Sequence, residues 1–436
     1  MSSTLQASEN IPALDDEKPR KVVHYPIVII GGGAAGITTA SLLLKQDPSL
    51  SIAIIEPSEK HYYQPGWTLT GGGVFQLEDT VKSQRQVMPK SVTWIIERAT
   101  EFKPEQNAVL TTGNLQVEYD GLIVCPGIQI NWHLIKGLKE AIGKNGVTSN
   151  YSPKYAPYTW ESIRNFSGGN ALFTYPNTPI KCGGAPQKIM YMADDHFRSK
   201  MGLRERSDVM FLTPSTRMFG VEAYANVLGK VAKERDINVK FAHNLKEIKG
   251  EQQEAVFEIL ENDTPVDEVS IPYNFIHVAP PQSAPDFIKR SPLADPESPY
   301  GWVDIYPGTL QHKRYPNIFS LGDASSAPTS KTAAAVRKQA PVVAQNLLSF
   351  FNSRPLVSEY DGYTCCPLIT GYDKTVMAEF DGYNCKPTSS FPLNPTKERW
   401  VMWLMKKHAL PWIYWNRMLT GKPFEGNYIK PLRWRG

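Results

Sequence analysis

Short apolar runs alternate with longer mixed segments along this chain. Tyr25–Ile30 is apolar almost throughout and ends in glycines, as a strand buried on both faces does. Helix-forming residues run from Ala34 to Lys45, and Ser51–Glu56 is a second apolar run, so a βαβ unit opens the fold. Farther along, Asn170–Tyr175 and Asp208–Thr213 read as strands, and Gly184–Lys200 and Gly220–Arg235 as helices. Val117–Val124 and Asn317–Leu321 read as strands returning to the first unit. The pattern predicts an α/β protein of two Rossmann-like dinucleotide-binding domains, the second inserted into the first. The expected division is an arm at 1–22, a discontinuous first domain at 23–167 and 308–374, a second at 168–307, and a C-terminal region at 375–436.

The glycines at the first strand's end carry chemistry. In Gly31-Gly32-Gly33-Ala34-Ala35-Gly36, the first glycine makes a tight turn, Gly33 admits a pyrophosphate close to the backbone, and Gly36 lets helix and strand pack closely. The helix start then offers free N–H groups to phosphate. Glu56, 20 positions past Gly36, is placed to accept hydrogen bonds from a ribose. Ser320-Leu321-Gly322-Asp323 resembles the second FAD signature of flavoproteins with two dinucleotide domains, which makes the cofactor FAD and the fold glutathione reductase-like. Cys125-Pro126-Gly127 stands where such proteins carry Thr-Gly. A helix is predicted to start within Pro328–Val336, with Thr329 or Ser330 as cap candidates. In that group of proteins such a helix aims its positive end at the flavin, and Lys331 would add to the field. The second unit has no glycine fingerprint: Pro214–Gly220 follows its strand, so electrons are not expected from a nicotinamide.

Five cysteines (125, 182, 365, 366 and 385) form no C-x-x-C pair, which argues against a zinc ribbon or a disulfide scaffold, and no metal site is expected. Cys182 lies between an apolar strand and a helix, in Pro179–Lys188, where the helix N-terminus and Lys181 would both favour thiolate. Cys366 lies in Tyr363–Gly371. These two contexts, with Glu56–Pro65 and Pro328–Thr332, resemble the sulfide:quinone oxidoreductases, most of all the mitochondrial-like type, from about residue 24 onward. The resemblance implies Cys182 and Cys366 as a redox pair on the flavin face, and Ala34, Ala35, Glu56, Gln64, Ala99, Asp323 and Lys331 as FAD contacts. It also implies that sulfide attacks a disulfide or trisulfide, that Cys182 keeps the persulfide while the Cys366 thiolate turns on the flavin, and that a quinone, ubiquinone by expectation, takes the electrons. The sulfane sulfur then passes to sulfite, glutathione or another sulfide. Cys125 reads as a small buried hydrophobe and Cys365 as a bystander pointing away from its neighbour. His196 is an acid/base candidate weaker than its reading as an exposed helical histidine. The rival readings are a type 2 NADH:quinone dehydrogenase and a non-catalytic FAD-bound membrane adaptor.

Charge refines the picture at one end. The net charge of +4 is too small to argue for nucleic acid, but from Arg399 onward eight Lys/Arg face one acidic residue. Trp400, Trp403, Trp412, Trp415 and Trp434 crowd the same segment, and Pro411 divides it. Two short amphipathic helices lying in a membrane interface are expected. The polar start, Met1–Arg20, has no apolar signal core, and no run is long enough to span a bilayer. The expectation is monotopic attachment to the cytoplasmic face of a bacterial inner membrane, with a homo-oligomer left open.

Overall fold

The computed structural model describes residues 21–422; the rest of the expected arm and tail, Trp434 included, lies outside the described residues. A seven-stranded sheet runs in the order Thr93–Ile95, Ile52–Ile55, Lys21–Ile30, Leu115–Val124, Ala108–Thr111, Ala99–Lys103, and Ile318–Ser320 also pairs with Leu115–Val124. Ile27–Ile30, Ile52–Ile55 and Leu122–Val124 are buried at its centre. Each such side chain contributes about 1.5–3 kcal/mol when fully removed from water, which is why these runs lack the polar alternation of a one-sided sheet. The expected arm therefore ends before Lys21, where the first strand already begins.

The helix Ala34–Gln46 follows directly, its start stacked on the strand by the glycines. Gly31 adopts φ +102°, and a Cβ there would lie 2.5 Å from Cys125 O. A Cβ on Gly36 would lie 1.9 Å from Gly31 O, so only glycine fits.

A second, fully parallel sheet has the order Val147–Thr148, Phe275–His277, Gly169–Thr174, Ser207–Leu212, Asn238–Lys240. Helices Ala185–Arg198 and Glu222–Glu234 follow two of its strands, within one or two residues of the expected bounds at every end. Two expected domain limits fall elsewhere. The second sheet takes in Val147–Thr148, ahead of residue 168, and the limit at 374 cuts the hairpin of Tyr363–Gly371 with Lys374–Asp381. That hairpin packs Cys366 and Leu368 against the helix Ala185–Arg198 and so closes over the second unit.

Two further expectations are corrected. The helix after Asp323 runs from Ala333 to Phe351, and its cap is Thr332, whose Oγ1 accepts from Ala335 N–H at 3.0 Å, not Thr329 or Ser330. The C-terminal segment is one helical stretch from Trp400 to Met418, not two helices split at Pro411. A wider π-turn at Met405–Ala409 precedes the proline. It absorbs the missing N–H and the ring's clash that would end a regular helix.

Candidate active site

A cavity of about 480 Å³ lies between the two sheets and the C-terminal stretch. Its first wall is the glycine loop. Gly33, Ala34 and Ala35 line it, and a Cβ on Gly33 or Gly127 would meet no atom within 4 Å, so both face open space. Gly31 and Gly36 shape the turn from behind. Glu56 lines the same wall, its carboxylate accepting from Gly32 N–H at 2.8 Å and Ser58 N–H at 2.7 Å. Burial raises its pKa, with those two N–H groups opposing. His61 is buried beneath the loop; Nδ1 donates to Gly32 O at 3.1 Å, which leaves Nε2 to accept from Tyr414 O–H at 2.7 Å.

The second wall is built from Gly322, Asp323, Lys331 and the start of the Thr332-capped helix. Burial raises the Asp323 pKa, against the charges of Lys331 and Lys181. Burial also lowers Lys331 to about 8, with Asp323 opposing. Lys331 Nζ donates to Ser325 O at 3.0 Å and sits 3.7 Å from the centre of the Trp302 ring.

Sulfur chemistry occupies the third wall. Cys182 and Cys366, 184 positions apart, bring their Sγ atoms to 3.3 Å. Cys182 holds φ +53°, a left-handed conformation that costs a non-glycine residue energy. Its N–H donates to Lys331 O at 2.9 Å and its carbonyl accepts from Ala185 N–H at 2.8 Å, so both flanking segments hold the turn. Lys188 Nζ donates to Cys182 Sγ at 3.0 Å. The hydrogen bond from Cys366 lowers the Cys182 pKa, and the Lys188 charge works against burial in the same direction. Cys366 is raised by donating that bond and by burial. In the dithiol state Cys182 is therefore the thiolate. Burial pulls Lys188 down, but the neighbouring sulfurs outweigh it and its pKa lies above the ordinary lysine value.

Most of the residues expected from the sequence converge here: Gly33, Ala34, Ala35, Glu56, Gln64, Gly127, Gly322, Asp323, Lys331 and Cys182 all line the cavity. Three do not behave as expected. Ala99 is buried in the core at the head of its strand, outside the lining. Lys181 is not the thiolate's partner: its Nζ donates to Gln64 Oε1 at 2.6 Å and stands over Trp67. Cys366 is 1% exposed and sits behind Cys182, whereas Cys365, on the opposite face of the strand, lines the cavity beside Met377. Cys125 is buried in the first core, and His196 packs on Trp160 away from the sulfurs. Sequence reasoning missed Lys188, whose sign was a lysine ahead of the apolar run Ile189–Ala193. It also missed Lys406, which is 2% exposed, donates from Nζ to Pro65 O at 2.8 Å, and is lowered to about 7 by burial and by Lys188.

The open cradle at Gly33 and Gly127, the helix starts and the Asp323–Lys331 pair fit FAD. Residues 25–157 match the family described as pyridine nucleotide-disulphide oxidoreductase. The class is thus an FAD-dependent oxidoreductase with two dinucleotide-binding units. Narrower relatives fix the family. The chain is 46% identical to the mitochondrial sulfide:quinone oxidoreductase of Mus musculus, over 91% of this chain and 87% of that protein. It is 48% identical to the mitochondrial one of Dictyostelium discoideum, over 95% and 90%. The solved sulfide:quinone oxidoreductase of Aquifex aeolicus superposes with a TM-score of 0.76 at 20% identity, covering 92% of each chain, which shows the shared fold. The chain belongs to the sulfide:quinone oxidoreductase family. Its expected place on the cytoplasmic face of a bacterial inner membrane finds no support in these relatives, of which both close ones are named as mitochondrial.

Proposed function

We propose that the chain oxidises sulfide at the Cys182–Cys366 pair and delivers two electrons, by way of FAD, to a membrane quinone such as ubiquinone. The observation that carries this reading is the meeting of two distant sulfurs at 3.3 Å, beside a buried lysine, in the wall of the FAD cavity. Of the two sulfurs, Cys182 faces the cavity, so hydrosulfide attacks the Cys182 Sγ of the oxidised pair. A new S–S bond forms there, the bond to Cys366 breaks, and Cys366 leaves as thiolate with the electron pair. Lys188 offers the ammonium that stabilises whichever sulfur carries the charge. The 3.3 Å contact is that of two thiols sharing a hydrogen bond, and the oxidised bridge, a disulfide or a trisulfide, joins the same two atoms. When bound, FAD supplies two-electron storage between the sulfurs and the quinone. Gly33, Ala34, Ala35, Glu56, Gln64, Gly127, Gly322, Asp323 and Lys331 are the residues that would hold it, with Ala99 behind them as a core residue. Lys331 and the capped helix start keep positive potential at the wall where negative charge gathers on reduction.

The C-terminal stretch suits a membrane surface. Among the described residues no helix is long and apolar enough to cross a membrane. Trp400, Val401 and Trp412 are instead 61%, 51% and 56% exposed, with Arg417 stacked on Trp412. The opposite face of the same stretch, Met405, Leu410, Ile413 and Met418, lines the cavity and would give a quinone an apolar path from lipid. The test is anaerobic titration of the yellow holoprotein with sulfide and then a quinone. Bleaching by sulfide, recovery with the quinone and indifference to NADH are expected; absorbance unchanged by sulfide would sink the reading.

A further inference from the structure

The strand that carries Cys366 and the helix that carries Lys188 run side by side, away from the sulfur pair. Cys182 precedes the helix Ala185–Arg198, and Cys366 lies within the strand Tyr363–Gly371. Most of the contact between them is apolar. Cys366 and Leu368 pack with Ile189 and Ala193, and Ile369 packs with Met192. A Cβ on Gly184 would lie 2.9 Å from Cys366 Sγ, so the helix start is pressed against that sulfur. Apolar packing favours contact but has no direction. It does not set how far the strand slides along the helix.

A directional tie stands at the far end. The hairpin turns at Tyr372 and Asp373, between the paired Gly371 and Lys374. Inside such a two-residue turn the first N–H has no acceptor. Here the Asp195 carboxylate accepts it at 2.9 Å. Asp195 stands in the last turn of the helix, remote from Cys182. Its other oxygen faces Arg235 at 3.5 Å. The neighbouring Asp194, fully buried, holds Arg198 at 2.8 Å and Arg204 at 2.7 Å, so this end of the helix is itself fixed. The Tyr372 hydroxyl donates to Gly72 O at 2.6 Å and its ring meets Trp403 edge-on, which holds the tip from its other side. From Ala185 to Asp195 the helix rises about 15 Å, and from Cys366 to Tyr372 the strand spans about 20 Å. Helix and strand are thus joined at one end by sulfur and at the other by the Asp195–Tyr372 hydrogen bond.

We propose that Asp195 is a positioning residue for the sulfur pair: by holding the hairpin tip it sets the effective concentration of Cys366 at Cys182. This rests on the reading that the pair opens and closes during turnover. While the sulfurs are bridged, a covalent link holds strand to helix. Once sulfide has opened the bridge that link is gone, and the far tie keeps the Cys366 sulfur in register for closure. The effect is reciprocal. The tie favours a closed bridge, and a closed bridge strengthens the tie by the same factor. Thr364 Oγ1, 2.9 Å from Thr332 Oγ1, holds the same strand to the helix on the cofactor side. The tip bond therefore adjusts the strand against Cys182 and leaves the cofactor wall alone.

The test uses FAD-loaded protein equilibrated in graded ratios of reduced and oxidised dithiothreitol, with free Cys182 and Cys366 counted by alkylation and mass spectrometry. Closure forms the protein S–S bond as the S–S bond of the reagent breaks, so two electrons pass to the reagent. Asp195→Ala should lower the closure constant about tenfold, the loss expected for one hydrogen bond to a charged group, which is about 30 mV in potential. Asp195→Asn keeps a carbonyl oxygen for the Tyr372 N–H and should recover most of that shift. FAD content should stay unchanged. On wild-type protein, hydrogen exchange at Tyr372 should be about tenfold faster with the pair open than closed. An unshifted potential in Asp195→Ala, loss of its FAD, or equal exchange in the two states overturns the positioning role. If Asp195→Ala does not fold, the wild-type exchange measurement decides. A wild-type pair that no dithiothreitol ratio opens overturns the redox reading of the pair, and the role of Asp195 with it; a pair that cycles with an unshifted potential overturns the role of Asp195 alone.

Discussion

Both sheets place a crevice beyond the carboxyl ends of their parallel strands, and they equip it by opposite means. At the first, the tools are backbone: glycines without Cβ atoms, free N–H groups and one carboxylate already tied to the loop by Gly32 and Ser58. At the second, they are side chains: a strained cysteine and a buried lysine. A repeated fold thus serves cofactor retention in one copy and sulfur chemistry in the other. A phosphate needs close backbone approach, whereas a thiolate needs a charge partner shielded from water.

The sharpest way to break this contrast is to remove either sulfur. Cys182→Ser or Cys366→Ser should lower sulfide-dependent bleaching by at least about 10³-fold while FAD stays bound, read by stopped-flow absorbance and FAD content. Loss of FAD in either variant would show that the two crevices are not separable. Next comes Lys188→Ala, expected to slow bleaching roughly 10²-fold. Because Lys188 depresses the Cys182 pKa, its removal should move the acid limb of the rate profile, and of alkylation of the reduced protein, to higher pH. Lys188→Arg should restore most of the shift.

A third measurement compares the crevices through one histidine in each. Burial lowers His61 to about 4 and His277 to about 3, both below the value of about 6.5 in an unfolded chain. Between those values the unfolded chain binds a proton that the folded one refuses, so stability falls as the pH falls. From pH 7 to 5 the loss is about 2 kcal/mol per histidine, measurable by urea unfolding; replacing either should remove about that much of the total loss. The smallest effect is expected at the lipid-facing side. Trp400→Ala with Trp412→Ala should weaken sedimentation with anionic vesicles roughly tenfold and leave sulfide bleaching of the dissolved protein intact.

The first crevice was the more legible one in the sequence, because backbone demands appear as glycines at set spacings. Gly31, Gly33, Gly36 and Glu56 could be placed from the strand and helix patterns alone. The pairing of Cys182 with Cys366 came from family resemblance, since no local pattern joins residues so far apart. Lys181 was chosen over Lys188 because it is adjacent to Cys182. Yet the chain turns at Cys182, in its left-handed conformation, so that Lys181 reaches Gln64 while Lys188, one helical turn and more along, reaches the Cys182 sulfur. Lys406 and Lys407 belong to the basic excess that pointed to a membrane surface, but neighbours on a helix are turned about 100° apart, and Lys406 points inward. Pro411 suggested a break that the preceding wide turn removes.

The His61 ring joins Gly32 to Tyr414, and Ser41 Oγ donates to Leu419 O at 2.7 Å. Residues made 353 positions after His61 therefore complete the floor under the loop it supports. The chamber cannot be finished during synthesis of the early segments. Firm capture of the prosthetic group must wait until the segment carrying Tyr414 and Leu419 has emerged.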